Sequence, residues 1–192
     1  MNSIGRAKLH RMRRICIASL MFVGALLELV AQPKPPAVYV DKGVCPGEGC
    51  RYGNWKVLRD TTLYARPEDN SKPVGKIGNA TRVLAETGEV HTVGGRFVVK
   101  RRHDRFAPGD VLWVYTYRGE GFFKVWFDGK FEDMELGFSP WGGSLGRRCE
   151  ASSRCWGELK ENLRFTWWIR VKTPSGIVGW TKEAANFDST DG

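Results

Sequence analysis

From Asn54 onward the chain alternates apolar and polar residues in short runs set apart by turn residues. Trp55-Lys56-Val57-Leu58 and Thr62-Leu63-Tyr64-Ala65 come first, then Val74 to Ile77 and Thr81 to Ala85 with Gly78-Asn79 between them. Arg96-Phe97-Val98-Val99-Lys100 is another such run. A period of two puts successive side chains on opposite faces of a strand, so each run predicts a half-buried strand. The clearest succession is Val111 to Tyr117, a turn at Arg118-Gly119-Glu120-Gly121, Phe122 to Phe127, then Asp128-Gly129 and Lys130 onward. Asp-Gly between alternating runs is a strong hairpin signal, because both residues tolerate the positive φ of a type I′ turn. Trp167 to Val171, Thr173-Pro174-Ser175-Gly176 and Ile177 to Thr181 predict a last hairpin. No segment sustains a helical period. The fold class is all-β.

The N-terminus follows a different pattern. Arg11, Arg13 and Arg14 precede an apolar run from Ile15 to Leu27, and small Ala31 follows. That is the layout of a secretory signal peptide over residues 1–31, cleaved after Ala31, though Leu29 is bulky for its position. An uncleaved anchor is the rival reading, but a bilayer span takes roughly 20 apolar residues and Glu28 interrupts this one. Cys16 stands at the start of the run, which disfavours lipidation. Gln32-Pro-Lys-Pro-Pro cannot continue a helix, so 32–53 reads as a proline-rich linker with a CPGEGC loop. The expected location is periplasmic or extracellular. Contact with a membrane is transient, through the signal, or permanent if the signal is kept.

Export changes how charge and cysteines read. The net charge of +9 falls to +5 beyond residue 31, because the first 31 residues hold five of the 30 basic and one of the 21 acidic residues. Such an excess favours anionic surfaces without choosing one. Cys45, Cys50, Cys149 and Cys155 remain, an even set that suggests two disulfides in an oxidising compartment, with three possible connectivities. The local pairs Cys45–Cys50 and Cys149–Cys155 are favoured, each contributing about 2 kcal/mol in the chain-entropy model. A four-cysteine zinc site is the competitor, with spacings looser than its usual knuckles. No cofactor is expected.

TTLYARPEDNSKPVGKIGNATRVLAE resembles the opening of bacterial SH3-type domains, and WWIRVKTPSGIVGWTKE resembles their close. APGDVLWVYTYRGEGFFKVWFDGK, between them, is itself similar to an SH3-like unit. The resemblance implies a small barrel built from 54–89 and 163–187, an inserted β-rich unit at 90–162, and a tail at 188–192. Two tandem units are the alternative. Leu63-Tyr64-Ala65-Arg66 departs from the Asn-Val-Arg common in the family, and the long insertion weakens any transfer of ligand loops. The resemblance implies a binding module, and SH3-like modules often accompany cell-wall enzymes.

Catalytic chemistry finds little support. Only His91 and His103 lie beyond the signal. Gly142-Gly143-Ser144-Leu145-Gly146 matches a nucleophile elbow, yet no histidine lies downstream and no helix follows, so it reads as a glycine-rich loop. Glu132, Asp133 and Glu135 read as a solvated hairpin edge, with the adjacent Glu132 and Asp133 facing opposite sides. The expectation is a non-catalytic module that contacts cell-wall peptide or another envelope component. The alternatives are a structural or protein-interaction scaffold, or an accessory of a cell-wall hydrolase system. Tyr64, Arg66 and Trp168 are the candidate ligand residues, since aromatic faces and a planar guanidinium suit sugar or peptide. Trp126 and Trp180 are expected in the core. Lys100, Arg101, Arg102 and Arg105 form an expected electrostatic patch, with anionic polymer or head groups favoured over nucleic acid.

Overall fold

The computed structural model describes residues 33–47, 50–136 and 156–188. Strands dominate it, and the expected all-β class holds. The strands fall into two antiparallel sheets. The first contains β1 (Val38–Lys42), β2 (Gly53–Lys56), β3 (Thr61–Tyr64), β4 (Pro73–Ile77), β5 (Arg82–Val93), β11 (Arg164–Lys172) and β12 (Val178–Thr181). Its order is β1-β5-β11-β12-β3-β4, with β2 also on β5. The second contains β6 (Gly95–Val99), β7 (Val111–Gly119), β8 (Phe122–Phe127), β9 (Lys130–Glu135) and β10 (Gly157–Leu159), in the order β10-β6-β7-β8-β9. Both lie within one compact unit, Gln32–Gly192.

The second sheet is a meander dictated by its turns. Glu120 and Gly121 have φ of 52° and 86°, and Asp128 and Gly129 have 46° and 81°, the left-handed pairs that a two-residue hairpin needs. Inward positions of these strands, Phe97, Val99, Leu112, Val114, Phe123 and Val125, form a core closed by Phe106, Leu136 and Trp156.

The first sheet is organised around the long strand β5. β11 pairs along one edge of it from Val93 to Leu84. On the other edge β1 covers Glu89 to Val93 and β2 covers Arg82 to Ala85, so β1 and β2 lie end to end. The chain between them, Gly43 to Tyr52, loops away and is stapled by a Cys45–Cys50 disulfide. Glu86 is the extra residue of a bulge opposite Arg170 and Val171, and its carboxylate takes a 2.7 Å bond from Arg170. Below the bulge the inner face gathers Trp55, Val57, Leu63, Ile77, Val83, Ala85, Ile169, Val171 and Phe187 into a second core. Each such buried side chain stabilises the fold by roughly 1.5–3 kcal/mol.

Two expectations need correction. The sheet curls but does not close into a barrel. The chain beyond β12 meets the end of β2 only at a Val57–Phe187 bridge, flanked by Leu58 N–H to Asn186 O (2.7 Å) and Asp188 N–H to Lys56 O (2.9 Å). A short 3-10 helix, Ala184–Asn186, turns the chain just before it arrives, leaving too little extended backbone for a ladder. The segment read as linker also contributes a strand, β1, whose alternation is only five residues long and places the polar Asp41 inward. No helix among the described residues is long and apolar enough to cross a membrane.

Candidate functional site

Directly opposed residues in antiparallel strands share a face. Above the bulge, the rows Tyr39–Thr92–Phe165 and Asp41–Val90–Trp167 therefore point toward the second sheet. Strand β7 answers them with Tyr115, Thr116 and Tyr117. Thr92 and Thr116 join hydroxyls at 3.1 Å while buried. Between these elements opens a small cleft with walls of Val90, Thr92, Tyr115, Thr116, Tyr117 and Phe165. Pro46 of the stapled loop and Leu163 also line it. Its enclosed space is about 40 Å³, far below the roughly 300 to 1,000 Å³ of ordinary ligand pockets, so it takes one small side chain at most.

The walls are fixed from behind. Tyr115 Oη donates to Pro36 O at 2.6 Å, and burial pushes its phenol pKa up to about 12. Its ring meets Phe131 at 5.6 Å and Tyr39 at 5.8 Å, and Tyr39 meets Phe131 at 4.7 Å. Gly94 is needed here, because a Cβ would fall 2.7 Å from the Tyr115 ring. The stapled loop is held by Gly43 N–H to Gly88 O (2.7 Å) and by Tyr52 Oη donating to Val44 O (2.7 Å). Trp167 Nε1 donates to Tyr52 Oη at 3.3 Å, and burial raises the Tyr52 pKa.

A buried carboxylate lies where the sheets meet beside the cleft. Asp41 on β1 stands 2.9 Å from Arg118 of β7, which also approaches Asp133 at 3.6 Å, and Lys124 bonds Asp133 at 2.7 Å. The contact to Asp41 Oδ2 is an ion pair without hydrogen-bond alignment, so that buried oxygen accepts no hydrogen bond. Desolvation consequently raises the Asp41 pKa, with Arg118 and Lys124 pulling it partly back.

The residues singled out from sequence fall in several places. Tyr64 and Trp168 do meet, ring edge to face at 6.2 Å, on the outer side of the first sheet. Trp168 is not the open platform expected: it is 3% exposed, and Lys182 lies 5.6 Å above its ring. Arg66 is exposed and paired with Glu68 at 2.6 Å. Trp126 and Trp180 are only half-buried; among the described residues the buried tryptophans are Trp55, Trp156 and Trp168. The basic run is partly neutralised, Lys100 by Glu158 at 3.5 Å and Arg105 by Glu132 at 2.5 Å. Arg101 donates its backbone N–H to Trp156 O at 3.1 Å, and Arg102 is exposed. His91 pairs with Glu89 at 3.0 Å and His103 stacks on Trp156 at 4.4 Å. Cys149, Cys155, Trp141 and the Gly142–Gly146 loop lie outside the described residues. No group of three metal-ligating side chains occurs among the described residues.

The cleft was missed because its walls come from four distant stretches. Its one local signal is the Thr92-Val93-Gly94-Gly95 step, where glycine makes room for Tyr115. No family model matches the chain, and no curated protein or solved structure is significantly similar to it.

Proposed function

We propose that the chain is an exported, non-catalytic binding module of the bacterial envelope, related to the bacterial SH3 domains. Its cleft receives one side chain of an extended, amide-bearing ligand such as cell-wall peptide. The cleft wall carries this reading: aromatic and aliphatic surface set around a threonine hydroxyl pair, a mixture that suits an apolar group flanked by amides. The Cys45–Cys50 bond favours an oxidising compartment. Kinship with SH3 domains is supported by the strand succession β2 to β5, then β11, β12 and a 3-10 turn before the chain returns to Val57.

Co-sedimentation with purified cell-wall sacculi tests the proposal. Wild type should pellet with sacculi in both low and high salt. Phe165→Glu, at the 38%-exposed rim, should weaken pelleting about tenfold by placing a carboxylate against an apolar wall. Wild type left in the supernatant at every salt concentration would overturn the reading in favour of a scaffold role. N-terminal sequencing of the exported protein should begin at Gln32.

A further inference from the structure

The run Lys100 to Arg105 is the obvious basic feature of the chain, yet carboxylates take up two of its charges. A less visible group is assembled by strand register on the outer face of the first sheet. Lys56 of β2 stands directly opposite Arg82 of β5. Leu84, two residues along β5 and therefore on the same face, stands directly opposite Lys172 of β11. Lys56, Arg82 and Lys172 are all exposed, and none joins the ion pairs found among the described residues. Like charges set directly across a ladder are destabilising, so this arrangement is not explained by stability. The Asp188 carboxylate accepts from the Lys56 backbone N–H. Glu86 is engaged with Arg170.

The middle of this cationic group is apolar. Leu84 is 42% exposed, and Val178 lies opposite Lys172 on the next strand. We infer that this face docks on an anionic phospholipid surface, with Lys56, Arg82 and Lys172 on the phosphates and Leu84 at the headgroup–acyl boundary. Lysine and arginine stems lie along apolar surface while their charges reach outward, which fits an interface that is apolar below and phosphate-rich above. A soluble polyanion would satisfy the cations but leave Leu84 without a partner. The inference is independent of the cleft, which lies on the opposite face.

Footprinting of lysines with an acetylating reagent tests it on the full chain, because the readout is local and the N-terminal segment is the same in every sample. On vesicles of phosphatidylglycerol and phosphatidylcholine, labelling of Lys56 and Lys172 should fall at least fivefold relative to pure phosphatidylcholine vesicles, with Lys100 changing less than twofold. Each cation near an anionic surface is worth about fivefold in binding. Replacing all three (Lys56→Gln, Arg82→Gln, Lys172→Gln) should therefore cut the preference for phosphatidylglycerol vesicles by about 100-fold. All three are exposed, so a Tm at or above that of wild type verifies that the variant folds. Equal labelling on the two vesicle types, or an unchanged preference in the triple variant, would overturn the inference. Equal protection by soluble polyphosphate would also overturn it, by assigning the face to a polymer.

Discussion

The two sheets of this protein are put together in opposite ways. The second is nearly in reading order, each of β7 to β9 pairing with the strand before it, and only β10 returns from a distance. In the first, β5 finds its main partner β11 across seventy intervening residues, and β1 and β2 share its other edge. Local pairing needs only turns of the right chemistry, whereas distant pairing must repay loop-closure entropy with buried surface. The first sheet accordingly concentrates tryptophan at its junction: Trp55 lies 6.2 Å from Trp167 and 5.8 Å from Phe187, and its Nε1 donates to Arg51 O at 3.0 Å.

The largest expected effect tests whether that junction belongs to one sheet or to the whole. Trp55→Ala and Phe97→Ala each empty a fully buried site, one per sheet, and should each cost about 3–5 kcal/mol. Because Tyr39, Tyr115 and Phe131 pack across the sheets, urea unfolding of both variants should remain a single transition at a lower midpoint. Two separate transitions would show that the sheets unfold independently.

Next in size are the glycines at close approaches. A Cβ on Gly88 would fall 2.2 Å from Tyr52 Oη and 2.9 Å from the Trp168 carbonyl; one on Gly157 would fall 2.2 Å from the Phe97 ring and 2.9 Å from the Val98 carbonyl. Gly88→Ala and Gly157→Ala should each lose roughly 1–3 kcal/mol in urea denaturation. Adding Tyr52→Phe should recover part of the loss at Gly88 and none at Gly157. Recovery at both positions would mean that the effect comes from the unfolded chain rather than from contact.

The same contrast governs what could be read in advance. Asp128-Gly129 and Glu120-Gly121 announced their hairpins, because a positive φ is a local demand. The ends of β7 and β8 followed from those turns. β1 was hidden: Val38-Tyr39-Val40 is brief, prolines precede it, and its inward Asp41 breaks the apolar alternation. Tyr64 and Trp168 do touch, but adjacency in Trp167-Trp168 could not say that the outward ring would be covered by Lys182. The Lys100 run looked like a charged patch because it is contiguous; its neutralising Glu132 and Glu158 arrive through folding. Lys56, Arg82 and Lys172 are scattered in sequence and meet only through register.

The disulfide sharpens the comparison at the point where β1 and β2 join. Replacing Cys45 and Cys50 together by serine should cost about 2 kcal/mol, the chain-entropy value for so short a loop. It should also speed amide exchange at Gly43, whose N–H bonds Gly88 O, without altering exchange in β8. Equal acceleration in β8 would mean that the staple acts on the whole unit rather than on the first sheet.

The smallest effect concerns the charge that bridges the sheets. Asp41 binds its proton more tightly in the folded protein than in the unfolded chain, chiefly because burial penalises its ionised form. A carboxyl with a raised folded pKa weakens the fold wherever it is ionised, above that folded pKa. The penalty is relieved as pH falls through the folded pKa toward the unfolded value near 3.8. Asp41→Asn removes the titration, while Arg118 keeps Asp133 as a partner. The variant should therefore compare best with wild type near neutral pH, and wild type should gain on it as the solution is acidified. Urea midpoints of the two proteins between pH 7 and pH 4 check the sign. If wild type instead loses ground to the variant on acidification, the ionised carboxylate is the stabilising form. The Asp41–Arg118 pair would then outweigh desolvation and hold the two sheets together by charge.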